Sequence, residues 1–139
     1  NIVNSFRCLM KIPCELIVWY VLPSIRRELA RELVEKHRFT QAEVARRFGV
    51  TDAAISQYLK SKRGTNRELE GSGKYEEFRE EIARSAQRIV AGSDIVTETC
   101  RVCDMVKRSG MLVKVYETHT GIKAPECVCT TCSTNDTRA

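Results

Sequence analysis

TQAEVARRFGVTDAAISQYLKSKRG, residues 40–64, reads as two short helices with a glycine turn between them. Thr40, followed three positions later by Glu43, forms a capping box, and Val44, Ala45 and Phe48 supply the apolar face of the first helix. Gly49 ends that helix with the backbone freedom a sharp turn requires. Thr51 caps the second helix, whose buried positions are expected to be Ala54, Ile55, Tyr58 and Leu59. A small Ala45 at the crossing, with Val50 and Ile55 filling the angle, matches a helix-turn-helix.

In such a motif the second helix enters the major groove with its N-terminal residues toward the bases. Helical spacing then turns Thr51, Asp52, Ala53, Ser56, Gln57 and Lys60 to the groove. Gln57 can make a bidentate contact to adenine, Ser56 can bond several bases, and the Ala53 methyl can pack on a thymine methyl. Gln41, Arg46, Arg47, Lys60, Lys62 and Arg63 read as phosphate contacts, which give affinity and register without sequence information. Asp52 is the awkward member, because a carboxylate near phosphates costs energy unless it accepts from cytosine or orients a neighbour. Charge alone would fit a solvated face on a helical bundle. The cap, alanine, glycine and SQYLKSKRG positions together favour DNA.

The flanks agree with this in charge. Residues 1–70 carry 13 Lys and Arg against 8 Asp and Glu, whereas residues 71–139 carry 10 of each, so the whole net charge of +5 belongs to the first half. Only that half is expected to meet a polyanion. Its basic residues are spread over three helices, which disfavours a membrane-surface helix. The apolar run LIVWYVL, residues 16–22, is too short to span a bilayer.

SIRRELARELVEKH, residues 24–37, places Ile25, Leu29 and Leu33 on one stripe, with Ala30 and Val34 beside it and Arg26, Arg27 and Arg31 off it. Ser24 is available as its cap, and Pro23 reads as a break from a preceding helical turn. The first nine residues, NIVNSFRCL, show no periodicity and read as an extension upstream of a natural start at Met10. The glycine-rich stretch GTNRELEGSG, residues 64–73, places a linker at 67–73 between domains at 10–66 and 74–139. Beyond it, Tyr75, Phe78, Ile82, Ala86 and Ile89 share one helix face. Ser93 and Asp94 can cap a further helix ended by Gly110, and Met111–Glu117 reads as a short strand.

Seven cysteines are polarised to the two ends. Without a signal-peptide pattern before them they imply a reducing, cytoplasmic setting, where clustered thiols bind metal or react. Cys100 and Cys103 form one CxxC pair and Cys129 and Cys132 another, with 25 residues between the pairs and Cys127 as an alternate ligand. Four thiolates within reach of one centre suit tetrahedral zinc or an iron–sulfur cluster. The first pair lies in a helical pattern rather than a knuckle, and the second offers a spare thiol. Both features tilt the reading toward an iron–sulfur centre, leaving structural zinc or a thiol switch as alternatives. Cys14, in an apolar stretch, reads as a core thiol.

The 40–64 string resembles the helix-turn-helix of the lambda-repressor-like (XRE, Cro/CI) family. With MKIPCELIVWYVLPSIRRELARELVEK before it and the cysteine cluster after it, the chain is similar to a group of small archaeal predicted transcriptional regulators. The resemblance implies an all-α DNA-binding domain of four to five helices acting as a homodimer on a two-fold-related operator in double-stranded DNA.

The expected fold is therefore mainly α. An N-terminal helix-turn-helix bundle is followed by a helical segment with a short Cys-rich, metal-binding C-terminus. At 139 residues the chain is too short for a TIM barrel or a doubly wound dehydrogenase. It shows no Gly-rich phosphate loop, paired acid–base carboxylates or nucleophile with a partnered His. An enzyme is disfavoured, the remote case being a small cysteine-cluster oxidoreductase.

Overall fold

A computed structural model describes residues 17–60 and 67–124. These are helical throughout, with no strand among them. Helix α1 (Leu22–Arg31) is entered through a π-helical turn, Ile17–Val21, and left through a second, Glu32–Lys36. Then follow α2 (Gln41–Phe48), α3 (Asp52–Leu59), the single turn α4 (Arg67–Glu70), α5 (Tyr75–Val90), α6 (Ile95–Ser109) and α7 (Met111–Thr120). No helix among the described residues is long and apolar enough to cross a membrane.

Pro23 does not break the first helix. Val21 already has helical angles (φ −84, ψ −50), and the chain passes through Pro23 into α1. A proline lacks the N–H that would bond the preceding turn, and the wider π-turn just before it accommodates that gap. Ser24 is accordingly not a cap. It sits within the helix, buried, with its Oγ donating to the Tyr20 carbonyl at 3.1 Å.

The expected stripe of α1 is present, with Ile25, Leu29, Ala30 and Leu33 fully buried. Its polar side is buried too: Ser24, Arg27, Glu28 and Glu32 are each at most 9% exposed. Helix α1 packs against α3 as well as α5 and α6, so helices of the second half cover part of the side that lies off the apolar stripe. Arg27 pairs with Glu28, whose carboxylate also lies 3.9 Å from Arg79 of α5. Charges survive burial here because each has an opposite partner.

Two further stretches differ from the sequence expectation. Part of the expected linker at 67–73 is wound: Arg67–Glu70 is helical, and Leu69 is only 1% exposed in the common core. Backbone bonds from Gly71 to Arg67 (2.8 Å) and a bond from Ser72 Oγ to the Leu69 carbonyl (2.8 Å) hold the turn. Glycine content signalled flexibility, but one leucine with a place to pack outweighed it. Met111–Glu117 is not a strand but the body of α7, which buries Met111, Leu112, Val115 and Tyr116. That spacing is helical. The β-branched valines and the tyrosine suggested a strand by propensity, and packing against α6 and α4 overrode it.

Helix α5 is joined to α6 by a charge network. Asp94 caps α6 by accepting from the Val96 and Thr97 amides, whereas Ser93 donates to Glu98 Oε2 at 2.6 Å. Glu98, fully buried, also accepts from Arg88 Nε at 2.8 Å, and Arg88 reaches back to Glu81 at 3.0 Å. Burial pushes the Glu98 carboxyl up, but the hydrogen bonds from Ser93 and Arg88 and the charges of Arg88 and Arg101 outweigh it and hold it below the usual carboxylate range.

A carboxyl depressed in the folded state stabilises fully above its unfolded value, about 4.3, and loses that contribution as pH falls through the lower folded value. We expect Glu98→Gln to cost about 2 kcal/mol in urea unfolding at neutral pH, the worth of hydrogen bonds to a charged group. The gap to wild type should narrow as pH falls below the unfolded carboxylate value. A gap independent of pH would contradict this account of the network.

Candidate functional site

The two-helix unit of residues 40–60 is built from local bonds. Thr40 is extended (φ −76, ψ 156) and its Oγ1 accepts from the Glu43 amide at 3.1 Å. The Glu43 carboxylate lies toward Arg47 (3.5 Å) and Arg46 (4.0 Å) in the following turn. At the other end Gly49 is left-handed, with φ 68. Its N–H donates to the Arg46 carbonyl at 3.3 Å, and the Val50 N–H donates to Ala45 at 3.0 Å. This is a Schellman ending, which satisfies the last carbonyls of α2 and reverses the chain. Thr51 then caps α3, its Oγ1 accepting from the Ala54 amide at 3.1 Å.

Beneath the unit, Val44, Ala45, Ala54, Ile55 and Tyr58 are buried against the core. Leu59 and Phe48 are half-buried. Helix α3 rests on both α2 and α1, so the turn is braced from below as well as by its own bonds.

Above it lie the residues expected to contact DNA. Gln41, Arg46, Arg47, Thr51, Asp52, Ala53, Gln57 and Lys60 are exposed, and Ser56 is half-buried. Lys62 and Arg63 lie outside the described residues. The two arginines of α2 are not equivalent. The Arg47 guanidinium sits 4.9 Å from the centre of the Phe39 ring, a cation–π contact, besides pairing with Glu43. The Arg46 side chain is 72% exposed and is the freer cation. Sequence reading missed the Phe39 contact because Phe39 lies outside the periodic pattern of either helix.

The ending of the first helical run also escaped the sequence. Arg38 takes a left-handed conformation (φ 61), and the Phe39 N–H donates to the Leu33 carbonyl at 3.0 Å. A glycine would have flagged this turn; an arginine does not.

The first cysteine pair lies one turn apart on α6, as expected from its spacing. Cys100 is exposed and Cys103 half-buried, both as free thiols, and both line one shallow depression with Lys107. Burial pushes the Cys103 thiol up, with Lys107 acting in the opposite direction. The pair offers two donors on one surface, and no cluster of three or more His, Cys, Asp or Glu suited to a metal occurs among the described residues. Cys127, Cys129 and Cys132 lie outside them.

Comparison of the chain with protein-family models, with curated proteins and with solved structures finds no match. What the site can do is therefore read from its own residues.

Gly49 has open space where a Cβ would sit, so an alanine there pays for its backbone conformation alone. We expect Gly49→Ala to destabilise the chain by about 1–2 kcal/mol, and Thr51→Ala by about 1 kcal/mol through the lost cap. Both should be visible in denaturant unfolding. If Gly49→Ala is neutral, the left-handed turn is not the one described.

Proposed function

We propose that this chain is a sequence-specific DNA-binding transcriptional regulator. In this reading α2, the Gly49 turn and α3 act as a helix-turn-helix of the lambda-repressor-like kind. One observation supports it above the others: Gln41, Arg46, Thr51, Asp52, Ala53, Gln57 and Lys60 are exposed and Ser56 is half-buried, while Val44, Ala45, Ile55 and Tyr58 of the same two-helix unit are buried. Helix α3 lies in the major groove. Ala53, Ser56 and Gln57 meet base edges, and Asp52 accepts from a cytosine or orients a neighbour. Gln41, Arg46 and Lys60, joined by Lys62 and Arg63, hold the phosphates, with Arg47 steadied on Phe39. The protein works as a homodimer on two half-sites of double-stranded DNA, as a binding protein rather than a catalyst.

In the second half, Cys100 and Cys103 supply two thiolates of a cysteine-ligated centre completed from Cys129 and Cys132, with Cys127 as alternate. We read that centre as an iron–sulfur cluster. Its donor set would be all sulfur, and two of its ligands sit on a regular helix rather than in a knuckle. The cluster would supply sensitivity to redox or metal state. Helix α6, which carries the pair, packs on α1, and α1 supports α3. A change in how α6 is held thus has a packed route to the reading helix.

Selection of a bound duplex from a random library, followed by titration at several salt concentrations, tests the DNA reading. Gln57→Ala should cost about 1–3 kcal/mol at one base position and relax specificity there. Lys60→Ala should weaken all duplexes alike and lower the salt slope by about 0.9. Absence of any salt-dependent duplex binding would refute the reading.

Anaerobic purification with an absorbance spectrum and metal analysis tests the centre. A broad visible charge-transfer band that is lost in a Cys100→Ser, Cys103→Ser variant is expected. A colourless protein with one zinc per chain would make the centre a structural staple instead.

A further inference from the structure

The side chains of three helices meet around an open cleft of about 260 Å³. Leu22 of α1, Phe48 of α2, and Ile95 and Val96 of α6 form its apolar walls, Arg26 adds a guanidinium, and Cys100, assigned above to the cysteine-ligated centre, borders its edge. Val96 remains 65% exposed at this cleft, and Trp19, one turn before Leu22, is equally open. The cleft thus offers apolar surface that the described residues do not cover.

Arg26 is the informative member. On the same helix, Arg27 pairs with Glu28 and Arg31 lies 3.6 Å from Glu35. Arg26 makes no ion pair among the described residues, although it is half-buried beside apolar walls. A guanidinium so placed matches one planar carboxylate in bidentate fashion. The described lining contains no second cation, which argues for a singly charged head rather than a phosphate dianion.

Size narrows the class further. The cleft volume is about 260 Å³. That is below the range of about 300–1,000 Å³ typical of drug-sized ligands and cofactors. A short apolar chain or small ring with one carboxylate fits both volume and chemistry.

We propose that this cleft is an effector site for a small apolar monocarboxylate. The head lies on Arg26, the tail between Leu22, Phe48 and Ile95, and occupancy is read by the α2–α3 unit. The route is short: Phe48 is the last residue of α2, and the next residue is Gly49, whose left-handed turn sets the entry of α3. A ligand that prefers one packing of the Phe48 ring shifts the population of α2–α3 arrangements by its difference in affinity for them. This last step rests on the DNA-binding reading; the ligand site itself does not.

Octanoate is the probe, titrated into the full chain by calorimetry with octanol and propionate as controls. Octanoate should bind about ten-fold or more tightly than octanol, which lacks the charge, and than propionate, which lacks the tail. Arg26→Gln should reduce octanoate to the octanol level. Val96→Glu, at an exposed position that a polar side chain suits, should weaken octanoate by placing a like charge at the cleft. Equal binding of octanoate and octanol, or unchanged octanoate affinity in both variants, overturns the site.

The coupling is measured separately, as affinity for the selected duplex with and without saturating octanoate. A change of about five-fold or more is expected. Unchanged duplex affinity with octanoate bound overturns the coupling alone. Failure of the chain to bind any duplex in the absence of octanoate overturns the DNA reading and leaves the calorimetric result standing.

Discussion

Helix α1 is buried on more than one side, and the rest of the molecule is arranged by what that requires. Ile25, Leu29 and Leu33 face one way, while Arg27, Glu28 and Glu32 are also taken out of water. A helix so placed must find apolar partners for its stripe and opposite charges for its polar residues. Helix α3 meets it on one side, and α5 brings Arg79 to within 3.9 Å of Glu28. An isolated first half would leave these charges in water, where an ion pair adds little. The second half covers them, so the pairs contribute to specifying how α5 lies on α1.

The α2–α3 unit depends on this support but takes its own shape locally. Threonine caps at 40 and 51 and the Gly49 turn satisfy the helix ends within a few residues of chain. The unit can therefore leave its outer residues free of packing. Electrostatics then distinguish among them. Glu43 lies within reach of both arginines, but Phe39 engages Arg47 alone, leaving Arg46 more open to solvent. Net charge by itself would treat the two as alike.

Helix α6 carries two kinds of chemistry on neighbouring surfaces. Glu98, buried against α5, is fixed by Arg88 and Ser93. Cys100 and Cys103, two and five residues further along, lie beside open surface, and Cys100 also borders the cleft shared with Phe48. The Glu98 network anchors the helix at the level of its first two turns.

Short-range chemistry was legible in the sequence. The caps, the glycine turn, the stripe of α1, the face of α5 and the exposed positions of α3 follow from spacing and residue type, because each is decided within about two helical turns. In two places where the sequence misled, the deciding partner was distant. Leu69 lies in a glycine-rich stretch, yet it finds a buried place near α7; Met111–Glu117 has strand-like residues, yet it packs as a helix on α6 and α4. Arg26, Arg27 and Arg31 are indistinguishable as off-stripe arginines. Only the tertiary structure buries Arg27 with Glu28, sets Arg31 near Glu35, and leaves Arg26 beside an apolar cleft, because burial and pairing depend on which helices arrive from elsewhere in the chain.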